Sequence, residues 1–434
     1  MTLESAEFAT EPVPDERTVG WFRVALVAAM VAFSLPTFLT GLEVAVVSTP
    51  ANTANILLVG AIILTILGSL TGGIGARTRL SSYMLNRVAF GSRGAALVNL
   101  AFAVSLLGWF GVNIDLFSGA VLRLADELFQ VSIPSWPVEL FAGAVMTITT
   151  VFGFRAINLL SMLLVPVLVL VTAQLIWGSL GVASVDELMA RVPTEQISFG
   201  DGVSSVVGAV IVGAVILPDI TRFIRHWRGA IFAVLITYFF IDLIVTGAGA
   251  LAATALQDDD LLNIMITLGI GWAAFAIVIF GSWVLNSLNL YSTMLSVEST
   301  APQLNNRLLI LVTGALGTFA AFFNILDYFL DFLFYLAVVF VPVSGVIAVD
   351  YLLLRRPAYH EQREAREASL RKSALCAWAL GACVALVGSW GWIALSGIAA
   401  IDAMLVAAFS YYLFSRFSVA DEVDSAGDKE ATSK

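Results

Sequence analysis

Gly108-Trp109-Phe110-Gly111 lies in the middle of a long apolar stretch and is the segment best suited to hold a ligand. Glycine has no Cβ, so a ligand or another backbone can come close to it. The indole of Trp109 offers a flat apolar face and one N–H donor. Together these residues predict a platform on which a flat, polar molecule rests within a membrane.

Asparagines near this platform could supply hydrogen bonds, because an amide both donates and accepts. Leu106 and Asn113 lie three residues before and four residues after Trp109, so all three share one helix face. A later apolar stretch carries a second polar face at three-residue spacing, formed by Trp283, Asn286 and Asn289. Such asparagines either bind a ligand or form polar contacts between helices, and the spacing alone fits both.

Ionisable side chains deep in apolar stretches are costly and are usually functional. Four carboxyl groups lie at such positions: Glu43, Asp115, Asp242 and Asp402. Asp115 follows Trp109 by six residues, which turns it about 120° away from the indole on a helix. Asp115 and Asp242 are the candidates for carrying a coupling proton, although a hydrogen-bonded structural carboxyl explains Asp115 equally well. Glu43 lies close to the predicted outer surface, where water accounts for its charge.

The composition excludes a soluble globular protein. Of the 434 residues, 59% are hydrophobic and only 12% are charged, and the mean hydropathy is +0.93, so lipid must cover much of the surface. The sequence has no arrangement typical of hydrolytic or redox enzymes, no Walker-type loop and no metal-ligating cluster. We therefore expect neither an enzyme nor a bound cofactor or metal. The net charge of -10 disfavours a nucleic-acid partner, and no obligate protein partner is predicted.

Apolar runs long enough to cross a bilayer recur along the chain. We predict twelve spans, at 21–45, 54–76, 95–122, 137–154, 158–182, 200–218, 229–256, 262–296, 308–326, 328–354, 373–389 and 391–414. The loops after even-numbered spans carry 15 Lys and Arg residues, and those after odd-numbered spans carry two. This bias places both termini in the cytoplasm and predicts an all-α, multi-pass protein of the inner cell membrane.

Breaks within the spans predict how the spans are grouped. Pro36 interrupts span 1, and Gly208, Gly213 and Pro218 loosen span 6. Breaks five spans apart fit an inverted five-plus-five repeat, although ordinary kinks explain them equally well. We divide the chain into five parts. They are a cytoplasmic tail (1–20), a first repeat (21–182), an inverted repeat (200–354), two further spans (373–414) and a second cytoplasmic tail (419–434).

Short motifs recur here in the order found in one transporter family. They are Phe33-Ser34, Gly75-Ala76-Arg77-Thr78, Phe90-Gly91, Gly108-Trp109-Phe110-Gly111, Asp219, Arg222-Phe223, Asn286, Pro342-Val343-Ser344-Gly345-Val346-Ile347, Asp350-Tyr351 and Arg355-Arg356. With them the chain resembles the nucleobase–cation symporter-1 family, and within it the bacterial cytosine permeases. The resemblance implies a leucine-transporter-like fold, with spans 1–5 and 6–10 as inverted repeats and two extra spans. It also implies alternating access around a midplane site among spans 1, 3, 6 and 8, where the base stacks on Trp109 and Asn286 lies in the substrate region.

Several positions depart from the family's pattern. The substrate region, which also includes Phe33, has apolar residues in place of the family's glutamine, aromatic residue and serine: Leu106, Val210 and Val212. The family's sodium site falls at Phe33, Gly281, Val284 and Leu285. Sodium needs oxygen ligands, but Val284 and Leu285 replace paired threonines and offer no side-chain oxygen. The site is therefore degraded, and the coupling ion, H⁺ or Na⁺, stays open.

The sequence thus predicts a secondary importer of a nucleobase or a related small heterocycle. Trp109 would stack the ring, Asn286 would hydrogen-bond its edge, and Asn113 would partly replace the missing glutamine. Two alternatives stay open. An amino-acid or amine carrier could use the same scaffold, and a membrane sensor that does not transport could use the basic loop at 355–372 as its output surface.

Overall fold

The computed structural model describes residues 11–431, apart from residues 33, 153, 194, 299–303, 362–368 and 393–394. Regular structure in this part of the chain is helical, and its strand-like pairing is confined to an isolated bridge between Val19 and Ile224. The prediction of an all-α chain is confirmed for these residues.

The first half of the described chain is built from nine α-helices. They are α1 (Trp21–Ala32), α2 (Leu35–Val46), α3 (Pro50–Thr78), α4 (Ser82–Phe129), α5 (Ser135–Phe152), α6 (Phe154–Val182), α7 (Val185–Met189), α8 (Phe199–Val215) and α9 (Pro218–Thr221). α3 begins after Thr49, whose hydroxyl accepts a hydrogen bond from the Asn52 amide. α4 kinks at Gly91, whose φ of 77° is a conformation that glycine readily adopts.

The second half of the described chain adds nine more α-helices. They are α10 (Trp227–Val234), α11 (Leu243–Leu256), α12 (Leu261–Thr267), α13 (Gly271–Glu298), α14 (Asn306–Ala321), α15 (Phe329–Val349), α16 (Arg356–Glu361), α17 (Lys372–Ser389) and α18 (Ala399–Ala431). Two π-helical segments lie between them. Leu235–Asp242 joins α10 to α11, and Asp350–Leu354 extends α15.

Each predicted span overlaps one or more of these helices. Span 1 is divided into α1 and α2, and Pro36 lies in the first turn of α2, as its position predicts. Span 8, predicted as one helix at 262–296, is α12 followed by α13, because Gly269 turns the chain with a φ of 78°. Span 12 begins at Ala399 rather than at 391, and α18 continues to Ala431.

The prediction that Gly208 and Gly213 loosen span 6 is wrong, because α8 is continuous from Phe199 to Val215. Gly208 packs directly against the backbone carbonyl of Leu333 in α15, where any Cβ would collide. The helix breaks only before Pro218, which lacks an N–H and begins the short α9. In this span the proline interrupts the helix, whereas the glycine allows close packing.

Seven segments of the described chain are long and apolar enough to cross a membrane: Pro50–Thr78, Ser82–Asp126, Phe199–Thr221, Trp227–Leu256, Ile325–Leu354, Lys372–Ser389 and Ala399–Phe417. Shorter apolar helices add Leu35–Val46, Pro166–Val182 and Arg307–Ala321. Large apolar side chains such as Leu170, Trp177 and Phe409 are exposed, and in a bilayer lipid would cover them.

The helices enclose one large apolar core that positions the candidate site. α4 packs on α13, α8 packs on α15, and α2 packs on α11. Within this core a buried hydrogen bond from the Thr71 hydroxyl to the Ala214 carbonyl, at 2.6 Å, joins α3 to α8. The predicted third span therefore packs on the eighth and contacts the tenth, which in turn packs on the sixth.

Candidate functional site

Trp109 lies on α4 with 8% of its surface exposed. Two phenylalanines from the beginning of α15 meet its ring edge to face, with the ring centroids of Phe329 and Phe332 lying 6.1 and 5.4 Å away. Gly108 permits this approach, because a Cβ there would lie 2.9 Å from the Phe332 ring. In this structure the start of α15 therefore packs against the predicted platform.

The residues expected around the platform are buried with it. Leu106 on α4 and Val210 and Val212 on α8 belong to the same apolar core as Trp109. Phe33 lies outside the described residues. Since Leu106, Val210 and Val212 offer no polar atom, specific hydrogen bonds to a ligand must come from other side chains.

Asn113 and Asn286 bind two consecutive carbonyls of α4. The Asn113 amide donates to the Trp109 carbonyl at 2.8 Å, and the Asn286 amide donates to the Phe110 carbonyl at 2.9 Å and lies 3.2 Å from the Met146 sulfur. Both side chains are buried, and neither amide oxygen has a partner among the described residues. An unpaired buried acceptor costs about 1–3 kcal/mol, so these two oxygens are suited to accept hydrogen bonds from a ligand.

The predicted polar face of α13 has two separate roles. Trp283 donates its indole N–H to the Thr149 hydroxyl on α5 at 3.0 Å, which makes it a contact between helices. Asn286 donates to the Phe110 carbonyl on α4 and also lies against Met146 on α5. Trp283 and Asn286 therefore share α5 as a neighbour, and Asn286 reaches α4 as well.

α13 also carries positions of the family's sodium site. Val284 is buried, and Gly281 and Leu285 are half-buried. Next to them Ser282 is fully buried, and its hydroxyl has no partner among the described residues. Sequence reasoning missed Ser282, because a lone serine in an apolar helix commonly bonds a carbonyl one turn back. Within the described residues, no three His, Cys, Asp or Glu side chains lie together so that they could hold a metal ion.

The two carboxyls considered for proton coupling lie on different elements. Asp115 on α4 is half-buried, its Oδ2 has no partner within the described part of the chain, and it interacts electrostatically with the carboxyls of Glu139 and Asp327. Asp242 is buried at the end of the π-helical segment Leu235–Asp242, which packs on α3. Both carboxyls are therefore in the helical bundle, as predicted.

Asp402 has a structural role that its sequence position does not reveal. Its carboxylate accepts hydrogen bonds from the Leu395 amide at 3.2 Å and from the Ser396 amide at 2.9 Å. The Ser396 hydroxyl donates to it as well, at 2.5 Å. Asp402 thus holds the turn that precedes α18.

Asp350, one of the family motifs, lies at the centre of a buried polar network. It accepts hydrogen bonds from Arg355, Tyr359 and Tyr411, at 2.5 to 2.8 Å. Burial raises the pKa of Tyr359 well above its usual value, and the neighbouring Asp350 raises it further. The phenol therefore stays protonated and donates. The network ties the end of α15 to α16 and α18.

Asp219, another motif residue, joins α9 to the start of α4. Its carboxylate accepts hydrogen bonds from the amide and the hydroxyl of Ser82, at 2.7 and 2.9 Å. The Arg79 side chain, just before α4, donates to the carbonyls of Arg222 and Arg225 at 3.2 and 3.1 Å. These contacts hold together the arginine-rich end of the bundle.

Over residues 12–413 the chain matches a protein family described as permease for cytosine/purines, uracil, thiamine and allantoin. The chain belongs to this family. It is a membrane transporter and not an enzyme, as the sequence predicts.

Named relatives agree with this membership. The cytosine permeases of Escherichia coli K12 and O157:H7 are each 28% identical to this permease over 409 residues, which cover 94% of either chain. The resemblance to the nucleobase–cation symporter-1 family is confirmed.

Solved transporters share the fold of this permease. Mhp1, a nucleobase-cation-symport-1 family transporter in a closed conformation with bromovinylhydantoin bound, gives a TM-score of 0.77 at 18% identity, covering 94% of this chain and 95% of its own. Mhp1 in its inward-facing conformation gives a TM-score of 0.80 at 17% identity, covering 94% of this chain and 93% of its own. A Na⁺-coupled sialic acid symporter in a substrate-bound outward-open state gives a TM-score of 0.64 at 12% identity, covering 92% of this chain and 90% of its own.

Proposed function

We propose that this permease is a secondary transporter that imports a nucleobase or a related small heterocycle by alternating access. One observation carries the substrate class. Two buried amide oxygens, on Asn113 and Asn286, have no donor among the described residues, and they lie beside an indole that is embedded in apolar residues. A flat ring with N–H groups along its edge complements both features, because it stacks on Trp109 and donates to the amides.

In this proposal the site combines one polar side with apolar walls. Trp109 stacks the ring, and Asn113 and Asn286 accept hydrogen bonds from its edge. Leu106, Val210 and Val212 form the apolar walls, and Phe33, which the family resemblance adds to the site, lies outside the described residues. Because leucine and valine cannot hydrogen-bond, the substrate's polar edge must face the two asparagines. Cytosine is one member of this substrate class, and the proposal does not require it to be the substrate.

Substrate entry requires movement at the start of α15. Phe329 and Phe332 pack edge to face on Trp109, so a ring that stacks on the indole must displace at least one of them. α15 also packs along α8, which carries Val210 and Val212. We therefore propose that displacement of the beginning of α15 from α4 opens the site on one side of the membrane.

The same proposal includes twelve spans arranged as two inverted repeats of five spans and two further spans. The repeats are residues 21–182 and 200–354, followed by spans at 373–414, with cytoplasmic tails at 1–20 and 419–434. Its support is the overlap of every predicted span with helix and the alternation of arginine between loops.

We propose a proton as the coupling ion, carried by Asp115 or Asp242. Val284 and Leu285 contribute no side-chain oxygen to a sodium site, whereas both carboxyls lie within the bundle. Sodium coupling would need the Ser282 hydroxyl and backbone carbonyls to serve as its ligands. No further cofactor is required, and the partners are the heterocycle and the bilayer.

Uptake into proteoliposomes tests the proposal. The purified protein is given labelled cytosine, uracil, adenine and hydantoin, with the sodium gradient and the pH gradient varied separately. We expect accumulation of at least one of these compounds under an inward proton gradient, unchanged when choline replaces sodium. Competition by amino acids but not by bases would instead identify the carrier of amino acids or amines. Tight binding of a base without accumulation would identify the sensor.

A further inference from the structure

A groove of about 380 Å³ opens on the outside of the bundle. None of the residues that line it belongs to α4, the helix that carries Trp109. Its walls are α3, α10 and the π-helical segment Asp350–Leu354. The apolar lining includes Ile66, Leu70, Ile74, Ile231 and Leu352. Ile66 and Leu352 are more than half exposed, so the groove faces the lipid and not the interior of the transporter.

The groove extends along α3, a helix long and apolar enough to cross a membrane. Its α3 lining residues run along one stripe of the helix, from Thr65 to Arg77. Twelve residues of α-helix rise about 18 Å. Half of a bilayer's hydrocarbon core is about 15 Å thick. One acyl chain of a single leaflet therefore matches the length of the groove.

One end of the groove is positively charged. The guanidinium of Arg77 lies 4.0 Å from the ring centre of Trp227, and that of Arg228 lies 5.8 Å from the same ring. α10 begins at Trp227 without a side-chain cap, so its first amides add positive partial charge at the same point. No carboxyl side chain is among the described residues that line the groove.

We propose that this groove binds one anionic phospholipid of the inner leaflet. The lipid phosphate lies against Arg77 and Arg228, and one acyl chain runs along α3 between Ile66 and Ile74. Tryptophan favours the interface between headgroups and hydrocarbon, which is the depth that this arrangement gives Trp227. A bound lipid contacts α3, α10 and the end of α15 together.

The choice of a lipid over a soluble anion follows from the shape of the groove. A free phosphate would use only the arginine end and would leave the apolar stripe along α3 uncovered. The choice of an anionic over a neutral lipid follows from charge, because each basic side chain near an anionic headgroup contributes about 1 kcal/mol, or roughly fivefold in affinity. The headgroup and the chain are therefore recognised by different parts of the groove.

Native mass spectrometry of the purified, full-length protein tests this. Phosphatidylglycerol and phosphatidylcholine with identical acyl chains are added in parallel, and glycerol 3-phosphate is added as the soluble anion. We expect one phosphatidylglycerol to bind at least fivefold more tightly than phosphatidylcholine, with no displacement by glycerol 3-phosphate. Equal binding of the two lipids would overturn the proposal, and efficient displacement by glycerol 3-phosphate would reduce the site to an anion site.

Two pairs of variants separate the charged end from the apolar stripe. Arg77→Gln should lower phosphatidylglycerol binding about fivefold, whereas Arg307→Gln, at an exposed arginine outside the groove, should not. Gly73→Phe should exclude both lipids, because a Cβ at Gly73 meets open space in the groove. Gly119→Phe is its control, since the space around Gly119 is also open. Wild-type lipid binding by both Arg77→Gln and Gly73→Phe would contradict the assignment.

Discussion

At the scale of single residues, two asparagines determine what can be recognised beside Trp109. The position of Asn113 was predictable, because residues four apart share a helix face. Spacing alone could not place Asn286, which donates to the carbonyl of Phe110, 176 residues earlier in the chain; only the family resemblance put it near Trp109. Likewise, no spacing predicts that both amide oxygens are without a partner among the described residues. That property depends on how α4 and α13 pack, and local sequence does not encode it.

Replacing Asn286 with leucine tests its proposed role as an acceptor. We expect the affinity for the transported base to fall about five- to 150-fold, which corresponds to about 1–3 kcal/mol for the lost hydrogen bond. Equilibrium binding of the labelled base to purified protein measures this. Trp283→Phe is the matched control, because the Trp283 indole N–H donates to Thr149 on α5 and is not part of the proposed site. Equal affinities for Asn286→Leu and the wild type would remove Asn286 from the site.

At the scale of helices, proline marks the breaks that sequence reasoning found. Pro36 predicts the division of span 1 between α1 and α2, and Pro218 follows the end of α8. Glycine was less informative, because its role depends on its neighbours. Gly208 lies within a continuous helix against Leu333, whereas Gly269 turns the chain between α12 and α13. A single sequence does not distinguish these two uses of the same residue.

The two carboxyls proposed for proton coupling, Asp115 and Asp242, lie on different helical elements. We expect Asn replacement of the coupling carboxyl, Asp115→Asn or Asp242→Asn, to abolish accumulation driven by a pH gradient while base exchange across the membrane continues. Counterflow in proteoliposomes measures exchange, and net uptake measures accumulation. Asp331→Asn, at an exposed carboxyl near the start of α15, is the control. Wild-type accumulation by both Asp115→Asn and Asp242→Asn would exclude the two carboxyls as proton carriers.

The Asp350 network predicts a stability effect on α15, α16 and α18. In Asp350→Asn the Arg355 guanidinium, of which 19% is exposed, loses its anionic partner. Removing one partner of a buried ion pair typically costs about 3–5 kcal/mol, so the thermal midpoint in detergent should fall clearly. Tyr411→Phe removes two hydrogen bonds of the phenol, with Asp350 and Arg355, each worth about 1 kcal/mol, and should lower the midpoint less. A midpoint for Asp350→Asn equal to that of Asp331→Asn would contradict a stabilising network.

At the scale of the whole molecule, the alternation of arginine between loops constrained the topology more than any local pattern. An added or missing span would have mixed the 15 basic residues of one set of loops with the two of the other. The shared fold with Mhp1 agrees with the expected transporter class. The contacts among α4, α8, α13 and α15 that form the site were not predictable in this way, because hydropathy gives the number of helices and not which ones meet.

Cysteine labelling tests the topology. We expect Asp259→Cys, in the acidic loop before α12, to react with a membrane-impermeant maleimide in intact cells. Arg93→Cys and Lys372→Cys should react only after the membrane is permeabilised, because both belong to arginine-rich segments between predicted spans. The two native cysteines, Cys376 and Cys383, are replaced first, since both are exposed. Labelling of Lys372→Cys in intact cells would reverse the proposed orientation.

Uptake by Trp109 variants tests most directly whether the ring of the transported base stacks on the Trp109 indole. Initial rates are measured in proteoliposomes with a subsaturating labelled base, at equal amounts of incorporated protein, for the wild type, Trp109→Ala and Trp109→Phe. Loss of about 1–3 kcal/mol of stacking should lower the Trp109→Ala rate about five- to 150-fold, while Trp109→Phe keeps part of the activity. A Trp109→Ala rate equal to that of the wild type would contradict the account.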